Sequence, residues 1–193
     1  MSSDKIDLQQ IRKSVLRSQL LALESQAQAI YYLGTEHRLG LDLGRNPEIY
    51  LVVQDVKDVA ASARTIVDEA RTVKAEEMTQ RLTALQTLAH DVVKRTEEAC
   101  RHAEVEADQR LEDNLADNLD KDENPSELPE VPTDVKHLKA RAGIACHCAE
   151  TDQHLTFKLQ VRAICDLALE LAFNAAAEAG LEYPRDSSYW LFS

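Results

Sequence analysis

The chain has 193 residues, 44% of them hydrophobic and 29% charged, which is enough apolar material for a packed core and too much for wholesale disorder. Five Gly and five Pro are too few to punctuate an all-β or doubly wound fold, so an all-α protein is expected. A formal net charge of −12 argues against sequence-independent binding to nucleic acid or anionic lipid, both of which reward clustered Lys and Arg.

The first helix is expected from about Asp4 to Leu33, where Asp4 and Asp7 suit the positive end of a helix dipole. Leu16, Leu20, Leu23, Ala27 and Ile30 recur at 4-3-4-3 spacing and share one face. Leu8, Ile11, Val15 and Leu21 widen that stripe, which asks for more than one neighbouring helix. Gly34 is a natural stop. The segment Gly34 to Asn46 holds Gly34, Gly40 and Gly44, but it follows a helix instead of a strand, and Leu39, Leu41 and Leu43 alternate through it. It reads as a loop sealing one end of a bundle, not as a phosphate cradle. Asn46 then caps, with Pro47 at the first helical position, where its missing N–H costs nothing.

From Glu48 to Asn124 there is neither Gly nor Pro. Val52, Val56, Val59, Ala63, Ile66, Ala70 and Val73 keep a strict 4-3 spacing. The next apolar place falls one step late, at Met78, and the pattern resumes through Leu82, Leu85, Ala89 and Val92. It weakens through Thr96, Ala99 and Ala103, then moves in fours through Ala107, Leu111 and Leu115. Such heptads describe a coiled-coil-like seam that rotates between Val73 and Met78. Lys74 to Glu77 contains no helix breaker, so one very long central helix is expected, making three helices in all. The alternative is a four-helix bundle in which that helix breaks near Glu76.

Residues 118–133 carry three Pro and a cluster of acids and read as an exposed linker. The last helix is expected over residues 134–180, with Thr133 as cap and Gly180 as stop. Phe157, Val161, Ile164, Ala168, Leu171 and Ala175 form its seam, and Leu155, Leu159, Cys165, Leu169, Ala172 and Ala176 a second stripe. Asp166, Glu170 and Glu178 interrupt that stripe, so this helix is not a membrane span. The chain thus divides into 1–117, the first and central helices; 118–133, the linker; 134–180, the returning helix; and 181–193, a tail. By length, the first and last helices fold back on different halves of the central one and meet near the seam shift. A rod only two helices thick leaves apolar surface bare, so a homodimer with four-helix cross-sections is expected.

Residues with chemical potential are few. His90-Asp91 resembles the HD dyad of the HD-domain phosphohydrolases, in which adjacent His and Asp ligate a metal; the match covers about seven residues. That family also uses an earlier His and a later Asp, for which His37 and Asp166 would stand, and it carries the dyad on short crossing helices. The plainer reading is a solvated pair on a helix flank. Cys146-His147-Cys148, with His154 downstream, has metal-ligating residue types. On a helix, however, the two thiols stand about 200° apart, against the turn-bent pairs that tetrahedral zinc prefers. Cys100 and His102 share that geometry, and Glu97-Glu98 and Glu104-Glu106 lack the E-x-x-H partners of a di-iron bundle. No cofactor or metal is expected. Four Cys in a chain opening without a basic-then-apolar signal run suggest reduced thiols and a cytoplasmic address. No apolar stretch reaches the length of a membrane span.

The tail concentrates Tyr183, Tyr189, Trp190 and Phe192, residue types favoured at interface hot spots. The expectation is therefore a non-enzymatic helical scaffold, adaptor or regulator that self-associates and binds a further protein, those four aromatics being candidate contact residues. The alternatives are an all-α metal-dependent phosphohydrolase built on His90-Asp91, and an acidic inhibitor of a protein with a basic groove.

Overall fold

The heptad seam from Val52 to Ala70 does form a helix, and it stops where the seam slips. In the computed structural model, which describes residues 8–35, 47–119 and 133–181, four helices follow one another: α1 (Leu8–Thr35), α2 (Pro47–Glu69), α3 (Ala75–Leu119) and α4 (Thr133–Glu178). No strand occurs among the described residues. The all-α reading holds, Pro47 opens α2 as expected, and Gly34 lies within the last turn of α1. The expected Gly34–Asn46 loop and the acidic linker fall almost wholly outside the described residues, as do His37 and the aromatic tail.

The continuous central helix is the expectation that the structure overturns. Between α2 and α3 the chain turns back through residues 70–74 without a Gly or Pro. The Glu69 carbonyl accepts from Thr72 N–H at 2.9 Å, Val73 N–H at 3.1 Å and the Thr72 hydroxyl at 3.0 Å. The Lys74 carbonyl then accepts from Met78 N–H at 2.9 Å, which makes Lys74 the N-cap of α3, and Glu76 and Glu77 occupy the first turn. Arg81 spans the corner, holding Glu69 of α2 and, at 2.8 Å, Glu77 of α3. The cause lies in the hydrophobic phase. Met78 is five positions after Val73, so an unbroken helix would point it about 140° away from Val73. Folding back aims both seams at one core.

The helices run antiparallel in sequence, and side-chain pairs fix their levels. Arg64 reaches Glu24 at 2.5 Å, and the Lys57 ammonium lies 4.1 Å from the Tyr31 ring centroid, setting α1 on α2. Arg95–Asp55 at 2.6 Å and His102–Glu48 at 3.1 Å set α2 on α3; Lys158–Glu104 at 2.6 Å sets α3 on α4. Such exposed pairs are screened by water, so they mark register more than they hold the fold. α2 and α4 each touch the other three helices, placing them on the short diagonal of the bundle.

The core between them is the seam read from the sequence. Leu20, Leu23, Ala27 and Ile30 of α1, the five seam positions of α2 from Val52 to Ile66 with Ala70 just past its end, and Met78, Leu82, Leu85, Ala89 and Val92 of α3 are buried. So are Phe157, Val161, Ile164, Ala168, Leu171 and Ala175 of α4. Burying each Leu or Val contributes roughly 1.5–3 kcal/mol before chain entropy is counted. Thr96 occupies a seam place at 1% exposure because its hydroxyl donates to the Val92 carbonyl at 2.7 Å. One chain thus builds the four-helix section that the two-helix rod needed a second copy to reach. At about 1.5 Å per residue, α3 and α4 extend to roughly 70 Å and α2 to roughly 35 Å. Beyond the Glu48–His102 level, α3 and α4 therefore run on as a two-helix arm. On α3 its seam passes from buried Ala103 and Ala107 to half-buried Leu111 and Leu115, and a Cβ at Gly143 would sit 3.7 Å from Leu111 Cδ1.

Candidate functional site

At the opposite end of the molecule, α1 and α4 leave a groove between them. The Arg64–Glu24 level sets the end of α2 near Gln19, so the first turns of α1 continue past α2 alongside the last turns of α4. α1 touches α4 more sparingly than it touches α2, and the result is a groove of about 480 Å³. Its apolar lining is Ile11, Val15, Leu16 and Ala177, with Gln19 and Glu178 among the polar residues at its edge. Ile11 and Val15, one turn apart, are 48% and 50% exposed, whereas Leu16 packs against the core. Ile11, Val15 and Leu21, expected to widen the buried stripe of α1, are exposed. Leu8 shares that expectation, but its side chain lies outside the described ones.

The chain leaves α4 at the rim of this groove. Gly180 N–H donates to the Ala177 carbonyl at 3.0 Å and Leu181 N–H to the Ala176 carbonyl at 3.1 Å, with Gly180 at φ 85°. That is a Schellman turn, whose left-handed position suits Gly because it has no Cβ to clash. Gly180 is thus the stop read from the sequence, and Leu181 folds back against the core.

A second apolar feature lies on α4. Leu155 and Leu159 were read as part of a buried second stripe, but they are 54% and 58% exposed. Each is two residues from buried Phe157, hence about 200° round the helix from it. The rest of that stripe, Cys165, Leu169, Ala172 and Ala176, is buried as expected. Leu155 and Leu159 stand one turn apart and form a short outward ridge.

Among the described residues, those with metal-ligating chemistry do not converge. His90 and Asp91 are exposed on α3, while Asp166 is on α4. Among the described residues there is no group of three or more His, Cys, Asp and Glu that could hold a metal ion. Residues 146–148 lie within α4, where Cys148 is exposed, and His154 is buried one helical stretch further on. Cys100 and Cys165 are buried thiols. Desolvation raises Cys100 to about 11, against the pull of Lys158, and the Cys100 sulfur lies 3.9 Å from the His154 carbonyl. Desolvation, helped by Asp166, raises Cys165 to about 12. Both are held as neutral, poorly nucleophilic core groups. Burial also raises the carboxyl of Asp166, whose two oxygens are shut from solvent without a hydrogen-bond donor among the described residues, while Arg162 pulls it back.

Fold and surface together define an all-α bundle with a two-helix arm, a groove at one end and an apolar ridge on α4. No family model, no curated protein and no solved structure matches the chain. No helix among the described residues is long and apolar enough to cross a membrane.

Proposed function

We propose that the chain is a non-enzymatic helical interaction protein that self-associates and acts as a scaffold, adaptor or regulator through its outer helix surfaces. The observation that carries this reading is the Leu155–Leu159 ridge, apolar and exposed although the core behind it is already filled. Two large side chains at i and i+4 make the kind of ridge that packs into the groove of a facing helix. A two-fold pair would set this face of α4 against the same face of a second copy, since an isologous interface uses one patch twice.

Multi-angle light scattering across a concentration series tests it. The wild-type chain is expected to approach twice its 21.6 kDa, and the double variant Leu155→Glu/Leu159→Glu to remain at 21.6 kDa with unchanged helicity. A wild-type chain that stays at 21.6 kDa throughout refutes self-association.

A further inference from the structure

We infer that the groove between α1 and α4 is the docking site of the chain's own C-terminal aromatic segment, with Trp190 as the anchor. Three observations converge. The groove is open, Ile11, Val15, Leu16 and Ala177 give it an apolar side beside the polar Arg12, Gln19, Asn174 and Glu178, and its volume of about 480 Å³ accommodates an indole ring with a neighbouring aromatic. The Schellman turn releases the chain at the groove itself, because Ala177 both lines the groove and accepts the hydrogen bond from Gly180. The residues that follow, 182–193, hold four of the chain's nine aromatics and its sole Trp.

The reach is ample and the tether favours the same chain. At about 3.3–3.6 Å per extended residue, the nine residues from Leu181 to Trp190 span up to roughly 30 Å, while Ile11 to Gln19 occupy only about 12 Å of α1. A short tether gives an effective concentration on the order of millimolar, far above that of a second copy at micromolar protein. Gln19 and Glu178 at the edge offer acceptors for the indole N–H, which is a donor only. Docked there, the segment straps the projecting start of α1 to α4 along the sparser of the two seams that α1 makes.

Because Trp190 is the only Trp, its fluorescence reports the docking without labelling. In the wild-type chain its emission is expected to be blue-shifted, and acrylamide is expected to quench it several-fold less efficiently than free N-acetyltryptophanamide, at every concentration from nanomolar to micromolar. Ile11→Glu/Val15→Glu, both at half-exposed positions, should keep the far-UV helical signal and raise quenching to the free level. Ala177→Arg attacks the groove from the α4 side and should do the same. Leu155→Glu/Leu159→Glu should leave Trp190 protected, so this result separates the inference from the self-association reading. Quenching of wild-type Trp190 at the free rate overturns the inference, as does protection that survives the groove variants. Protection lost on dilution assigns the groove to the tail of a second copy and overturns docking within one chain.

Discussion

Ala75 opens α3, and replacing it with proline measures whether the chain truly turns back at residues 70–74. At the first helical position the N–H has no intrahelical partner, and proline's fixed φ near −65° already suits the helix. Ala75 is exposed, and Lys74 before it lies outside the helix, which accords with the extended backbone that a residue before proline favours. Ala75→Pro should therefore be neutral or gain about 0.4–1 kcal/mol through reduced freedom of the unfolded chain. Were α2 and α3 one helix, the same change would remove the bond to the carbonyl of residue 71 and drive the ring into it, costing about 3 kcal/mol or more. At roughly 2–4 °C per kcal/mol for a chain of this size, that is a fall of about 6–12 °C in Tm. Thermal melts by circular dichroism decide it, with Ala84→Pro, an exposed position inside α3, as the control that must show the large loss. If Ala75→Pro falls as far as Ala84→Pro, the corner described above is wrong.

Two further expectations follow from particular side chains. Gly143 lies inside α4 with room for a Cβ against Leu111, so Gly143→Ala should stabilise by about 0.5–1 kcal/mol, seen as a higher melting temperature; a loss would mean that α3 and α4 approach more closely there than 3.7 Å allows. Asp166 has a carboxyl raised by burial, so its ionisation opposes folding: that penalty is absent below the ordinary value of 3.8, grows as pH rises from there to the folded value, and is complete above it. In urea unfolding, Asp166→Asn should gain stability over the wild type at neutral pH and lose most of that advantage in acid. An advantage confined to acid would reverse the assigned direction.

The seam residues were legible because a 3.6-residue period leaves few alternatives. Val52 to Ala70, Met78 to Val92 and Phe157 to Ala175 are all buried as the spacing required. What the pattern could not decide was how to interpret its own slip at Val73–Met78. A change of partner and a reversal of direction produce the same one-residue shift. The usual punctuation of a reversal is missing because Thr72 and Arg81, neither a breaker by propensity, supply the corner's hydrogen bonds. Leu155 and Leu159 depart from the second stripe because Phe157, between them in sequence, faces the core, and an apolar side chain two residues away on a helix points outward. The groove was not legible at all. It exists because α1 continues past the end of α2, and that offset is set by pairings such as Arg64–Glu24 that no local window contains.

The arm gives the molecule a gradient in how firmly its backbone is held. In the body, a helix such as α2 or α4 rests on three neighbours, and opening any amide there disturbs a shared core. Past Glu48 and Lys158, α3 and α4 have chiefly one another among the described residues, and the α3 seam there passes from Ala103 and Ala107 to Leu111 and Leu115, which are only half-buried. Amide exchange should accordingly speed up in steps from residue 103 toward residue 119, and in the matching direction along α4, while Leu82 to Val92 exchange only with global unfolding. The chain would then open from the arm inward, one turn pair at a time, with the Lys158–Glu104 level as the point where local opening gives way to cooperative loss of the fold.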